Sequence, residues 1–235
     1  MNVTLAIFKK EFKALFYSPI AYIVIFVFLG ITGWFFTSSL FEVGIVSMRG
    51  AFEIISFILL FFIPAITMRT FSEEKRSGTI EMLLTKPVTE MQIIAGKFFA
   101  TLAFTALAIA PTLIYLISLL FLGSVDIGII ISSYIGLLFV CAVYISCGIF
   151  ASSLTENQII AFIISFLIIF ALFILNKVLI FFPVFLTSFL EYLSTDYHYM
   201  NMSRGVIDTR SIIYFVSAIL IFLLLARIPL EKRKW

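Results

Sequence analysis

The residues able to do chemistry in this chain are few and unevenly spread. The stretch from Arg69 to Gln92, RTFSEEKRSGTIEMLLTKPVTEMQ, holds eight formal charges, at Arg69, Glu73, Glu74, Lys75, Arg76, Glu81, Lys86 and Glu90, out of a total of 16 Lys+Arg and 13 Asp+Glu. Nothing that catalysis needs accompanies them. The sequence has no Gly-rich phosphate loop ending in Gly-Lys-Ser/Thr, so ATP binding by that route is excluded. The one histidine, His198, stands beside tyrosines in STDYHYMNMSRG. A zinc site needs three or four ligands, so His198 reads as an interfacial polar group. No Ser/His/Asp spacing stands out, and no HExxH occurs. Cys141 and Cys147 lie in an apolar run, match no CxxC spacing and read as buried free thiols. The sequence points to no enzyme, no metal and no cofactor held by the chain itself. What remains is one charged segment whose chemistry is that of a binding surface.

The elements that must position this segment are apolar. The chain is 63% hydrophobic and 12% charged, with mean hydropathy +1.19, against roughly 45–50% and about 25% in soluble proteins. Too few polar groups are present to cover an aqueous surface, so lipid is the solvent. A span needs about 20 residues. The 235 residues therefore hold six or seven spans and no soluble domain of ordinary size, about 100–150 residues. A single membrane domain over 1–235 is expected. The N-terminal MNVTLAIFKKEFKALF has lysines within its apolar pattern and no small-residue cleavage site, which argues against a removable signal peptide.

Within residues 3 to 17, Leu5, Phe8, Phe12, Leu15 and Phe16 recur at helical spacing, with Lys9, Lys10 and Lys13 on other faces. This predicts an interfacial amphipathic helix (1–18) whose lysines reach lipid phosphates. Ser18 as N-cap and Pro19 at the first helical position start the next helix. Spans are expected over 20–40, 52–68, 93–122, 127–152, 159–175 and 212–228.

Residues 178–193, VLIFFPVFLTSFLEYL, fit either a seventh span or short re-entrant or interfacial helices within an outer segment, 177–211. Charge decides, because lysine and arginine concentrate on the cytoplasmic side. Six spans with both termini inside place Lys9, Lys10, Lys13, Arg69, Lys75, Arg76, Lys86, Lys97, Arg227, Lys232, Arg233 and Lys234 there. Only Arg49, Lys177, Arg204 and Arg210 are left outside. A seventh span would put EKRKW outside, against the rule. Lys177, about 27 Å along a helix from Ile159, is expected to snorkel at the outer interface.

Two inner helix starts share one grammar. In VTEMQI (88–93) and LTENQI (154–159), Thr89 and Thr155 read as N-caps. Gln92 and Gln158 take the reciprocal capping-box position, with Val88–Ile93 and Leu154–Ile159 as hydrophobic staples. Pro111, midway along the third span, reads as a static kink or a hinge. The third and fourth spans carry no ionisable group after Lys97, which disfavours an ion-coupled transporter or a channel.

The charged segment itself has a legible shape. SEEKRSG reads as exposed. Gly78 permits a turn, TIEMLLT places Ile80, Leu83 and Leu84 on one face of a short helix beside Glu81, and Pro87 ends it. A free apolar face at the cytoplasmic surface suits a groove in lipid or in another protein. From the residues alone both fit.

FFIPAITMRTFSEEKRSGTIEMLLTKPVTEMQIIAGKFFA resembles the hallmark region of ABC-2 type permeases, the membrane subunits of a class of ATP-binding cassette transporters. Two further segments, YIGLLFVCAVYISCGIFASSLTENQIIAF and SRGVIDTRSIIYF, are similar to gliding-motility-associated permease subunits of the GldF type, and the likeness runs through essentially the whole chain. The resemblance implies an all-α, six-span permease fold of the type V exporter kind. It also implies an N-terminal elbow helix, a cytoplasmic coupling-helix loop over 70–90 and a bacterial inner-membrane location.

The coupling element would be Glu73 to Leu84, with Glu74, Arg76, Gly78, Thr79 and Glu81 most exposed to a separate ATPase subunit that binds ATP and magnesium. Ile80, Leu83 and Leu84 would brace it against the membrane part. Thr155, Glu156 and Asn157 would offer a second, smaller contact. The expected partners are that ATPase, a second copy or a related membrane subunit with an extracytoplasmic region, and lipid; no nucleic acid is expected. Export, force transmission across the membrane by a non-transporting component of a motility or secretion machine, and, less well supported, a stand-alone channel are the functions in play.

Overall fold

Six helices are long and apolar enough to cross a membrane. A computed structural model describes residues 3–42, 48–79, 88–123, 126–179 and 183–231, and every regular element among them is helical. Helix α1 (Val3–Tyr17) precedes the first span, α2 (Pro19–Glu42). Next come α3 (Arg49–Thr67) and the short α4 (Ser72–Arg76). The third span is split into α5 (Glu90–Ile109), a 3-10 turn (Ala110–Thr112) and α6 (Leu113–Leu122). Then follow α7 (Ile127–Leu154), α8 (Gln158–Val178), the short α9 (Val184–Leu193) and α10 (Thr195–Ser203), and α11 (Thr209–Glu231). The 178–193 segment thus contributes a ten-residue helix, about half of what a span needs.

Helix α7 is the hub. It packs against α3, α5, α8, α10 and α11, and its middle from Val140 to Cys147 is buried throughout. Lipid gives apolar side chains no reason to prefer protein, so close backbone approach through small residues carries the packing. Gly148 shows how close. A Cβ there would sit 2.0 Å from Thr67 Oγ1 on α3, so only glycine fits. By contrast α2 leaves Tyr22, Phe26, Trp34 and Phe41 exposed.

Two helix starts follow the local capping rules and a third departs from the expected one. Asp126 caps α7 by accepting from Gly128 N at 2.9 Å and Ile129 N at 3.3 Å. Thr89 and Gln92 form the expected reciprocal capping box. Thr155 does not cap α8. That helix starts at Gln158, and Asn157 Oδ1 accepts from Ile159 N at 2.9 Å. Thr155 is extended and only accepts from Asn157 N at 3.1 Å. Asparagine is the better N-cap, and a start there leaves Gln158 at the first helical position, where no reciprocal bond is possible. Leu154 and Ile159 are correspondingly exposed.

Two elements make contacts that the sequence reading did not include. Helix α1 is more than a lipid anchor: a Cβ on Gly96 of α5 would lie 2.7 Å from Ile7 Cγ2, and Phe16 stacks edge-on against Phe104 at 5.3 Å. Its lysines 9, 10 and 13 stay exposed, as the spacing predicts. Lys177, half exposed near the end of α8, pairs with Asp196 at 3.6 Å and lies over the Phe173 ring. At the third-span break, Thr112 donates to Ile109 O at 2.7 Å and so accepts from Tyr134 Oη of α7 at 3.0 Å. The bend is therefore pinned to the hub.

Candidate functional site

The charged segment is held by the end of α7 and by side chains on α5 and α1. Helix α4 carries Glu73 and Glu74 in its first turn and Lys75 and Arg76 in its last, the arrangement a helix dipole favours. A five-residue helix cannot persist on that alone, and its first amides need acceptors. Ser152, in the last turn of α7, supplies one. Its Oγ accepts from Phe71 N at 2.9 Å and Ser72 N at 3.1 Å, and donates to Met68 O at 3.1 Å. Lys75 is buried, and its ammonium donates to the Ser153 carbonyl at the end of α7. Hub and charged segment thereby cap each other.

The second fastening is Lys97, on α5. Its side chain is only 2% exposed. The ammonium donates to Thr70 O at 2.7 Å, pairs with Glu74 Oε1 at 2.9 Å and with Glu11 Oε1 at 3.4 Å, and lies 5.0 Å from the Phe71 ring centre. An ammonium has three donors, and all are engaged. A lysine buried without partners would lose its charge or destabilise the fold. Here two carboxylates compensate it and tie α1, α4 and α5 at one point. Beside it a cavity of about 260 Å³, with Lys10, Arg69 and Glu73 in its wall, opens between α1, α2 and α3.

Glu73, Arg76, Gly78 and Thr79 are exposed. Gly78 has φ +71, a left-handed conformation that glycine adopts without strain, and Ser77 and Thr79 hydroxyls meet across the turn at 2.9 Å. Glu74 departs from expectation: it is half-buried and turned inward onto Lys97. So does Lys75, within a stretch that reads as exposed. Ile80, Glu81, Leu83 and Leu84 lie outside the described residues. The turn carrying Thr155, Glu156 and Asn157 follows directly on Ser152 and Ser153, so it lies on the same end of the bundle as α4, with Glu156 and Asn157 exposed.

Sequence reasoning gave Glu11 and Lys97 no part in the site, and took Ser152 and Ser153 only as the start of the inner turn that runs to Gln158. A signal existed for the first two. Glu11 is the only acid in α1, and Lys97 is a lone cation inside an apolar span.

A family model described as "ABC-2 family transporter protein" matches residues 5–234. The chain belongs to the ABC-2 transporter family. An ABC-2 permease is a membrane subunit whose family implies an ATP-binding cassette ATPase as partner, which accords with six spans and one charged surface. No curated protein matches the chain.

Proposed function

We propose that this permease couples ATP hydrolysis on a separate ATPase subunit to movement of its spans, with α4 and the residues after it as the coupling element. The observation that supports this most is the mechanical linkage at α4. Ser152 and Lys75 join it to α7, and Lys97 joins it to α5 and α1, while Glu73, Arg76, Gly78 and Thr79 remain exposed. A push on the exposed face is delivered to the hub and the third span, where a solvated loop would absorb it. The α7–α8 turn, with Glu156 and Asn157, is a second and smaller contact. ATP and magnesium belong to the partner.

The same reading places the chain in a bacterial inner membrane with both termini cytoplasmic, which puts α4 within reach of the ATPase. Six spans form half a pathway, so a second copy or a related membrane subunit completes the assembly. The three quoted segments support a gliding-motility-associated system. Export and outward force transmission use the same lever; substrate-stimulated hydrolysis in proteoliposomes separates them. Gly78→Pro and Glu81→Arg each abolish permease-dependent ATPase activity while membrane insertion is retained. Unchanged coupling in both variants defeats the proposal.

A further inference from the structure

The cavity beside Lys97 is left over by the fastening of α4. Its volume of about 260 Å³ is just under the roughly 300–1,000 Å³ of sites that enclose a whole small molecule. Alanines make the room: Ala14 of α1, Ala21 of α2 and Ala65 of α3 line it, and a methyl group is too short to close the gap. Ser18 lines it too, at the turn where α1 meets α2. Tyr17 and Tyr22, the chain neighbours of Ser18 and Ala21, are exposed. Exposed tyrosines beside an interfacial helix mark the level of lipid headgroups. The cavity therefore opens at the membrane–water boundary, on the end of the bundle that carries α4.

Its charges describe the ligand. Lys10, Arg69 and Lys97 line it against Glu11, Glu73 and Glu74, so the formal charges cancel. Lys97 is committed to Glu11 and Glu74, and Lys10 stays by Glu11 at 3.6 Å. Arg69, half-buried, and Glu73, exposed, are left over. They stand four positions apart, yet neither forms an ion pair with the other or with any other described residue. A bare anion at Arg69 would have Glu73 against it, and a bare cation at Glu73 would have Arg69 against it. A ligand that carries both charges and no net charge satisfies the two together. A carboxylate only accepts, so its partner must be a donor; a primary ammonium has three N–H groups and a quaternary one has none.

We propose that this cavity binds the headgroup of phosphatidylethanolamine, with its phosphate at Arg69, its ammonium donating to Glu73 and its glycerol end against Leu15 and Val24, which also line the wall. The acyl chains remain outside, as the volume requires. Glu73 is thereby given to the lipid, and Arg76, Gly78 and Thr79 remain for the ATPase. The site does not rest on coupling, because it is tested on this chain alone.

The full chain, purified in a non-ionic detergent, is titrated with phosphatidylethanolamine, phosphatidylcholine and phosphatidylglycerol of the same acyl chains, and bound lipid is counted by native mass spectrometry. One saturable phosphatidylethanolamine per chain is expected. It binds about tenfold more tightly than the other two, the worth of one charge-assisted contact. Glu73→Gln brings it down to the level of phosphatidylcholine, and Glu73→Lys turns the preference toward phosphatidylglycerol. Arg69→Ala weakens all three lipids about tenfold. Lys13→Ala, an exposed position on α1 outside the cavity wall, leaves the preference unchanged. Soluble phosphoethanolamine, which lacks the glycerol and acyl parts, competes at least tenfold more weakly than the lipid; equal competition assigns the cavity to a free zwitterion and overturns the lipid. No saturable binding of phosphatidylethanolamine, equal binding of the three lipids, or a preference that survives Glu73→Gln also overturns the proposal.

Discussion

Replacing Lys97 by methionine preserves the length and apolar stem of the side chain and removes the ammonium that ties α1, α4 and α5 together. The loss can be sized from the geometry. Glu74 and Glu11 lose their shared partner, Thr70 O loses a donor, and Glu74 Oε2 already has no hydrogen-bond partner among the described residues. Removing one member of a buried pair costs about 3–5 kcal/mol. The Glu74 and Glu11 side chains are 17% and 20% exposed, so water rehydrates them in part and the loss falls near the lower end, about 3 kcal/mol. For a chain of this length each kcal/mol lowers the melting midpoint by about 2–4 °C, which places Lys97→Met roughly 6–12 °C below the parent.

Glu74→Gln alone leaves Lys97 bonded to Glu11 and to Thr70 O, and costs about 1–2 kcal/mol. In Lys97→Met/Glu74→Gln the stranded charge is gone, so the double variant is more stable than the sum of the singles by about 1–2 kcal/mol. Melting midpoints of the four proteins in one detergent close the cycle. Permease-dependent ATPase activity falls with Lys97→Met although Lys97, buried at 2%, touches no partner. A midpoint within about 1 °C of the parent, or strict additivity, refutes the ion-pair fastening.

Three further outcomes are expected. Ser152→Val strands the Phe71 and Ser72 amides and costs about 2–4 kcal/mol, with a smaller loss in Ser152→Thr, read as melting midpoints. Gly148→Ala drives a methyl into Thr67 and costs about 1–3 kcal/mol; Thr67→Ala relieves it only in part, because Thr67 Cβ is itself 2.6 Å from that methyl position. His198 is buried, donates from Nε2 to Tyr192 O at 2.9 Å and accepts at Nδ1 from Ser211 at 3.1 Å. Burial lowers its pKa from the ordinary 6.5. The unfolded chain therefore binds the proton first, and stability falls as pH drops from about 6.5 toward the lowered value. The melting midpoint between pH 7.5 and 5.5 shows this slope in the parent and a flatter one in His198→Gln.

Much of the architecture was legible because membrane spans are the strongest pattern a sequence carries: apolar length set the six spans, and the lysine and arginine bias argued against a seventh. The Thr89 capping box was readable because all its parts lie within four residues. The Thr155 assignment failed on the same logic, since LTENQ holds two competing caps and the sequence does not say which carbonyl starts the helix. The fastening of α4 was illegible for a different reason. Ser152 and Ser153 meet residues 71–75 across about 80 positions, and Lys97 meets Glu74 and Glu11 from two other elements. Glu74 and Lys75 read as surface charges because local composition is silent on which partners lie opposite. Gly148 and Thr67 likewise become a matched pair only once α3 and α7 are packed.

The central claim is that α4 faces a hydrolysing partner on the cytoplasmic side. A single cysteine at Arg76, an exposed position on α4, placed in inside-out vesicles with the ATPase present, tests this most directly. The account predicts modification from the cytoplasmic side, protection when the ATPase is bound, and a cross-link to that subunit whose yield changes with ATP. Modification from the opposite side alone, or an assembled and hydrolysing complex in which residue 76 cross-links to no other chain, contradicts it.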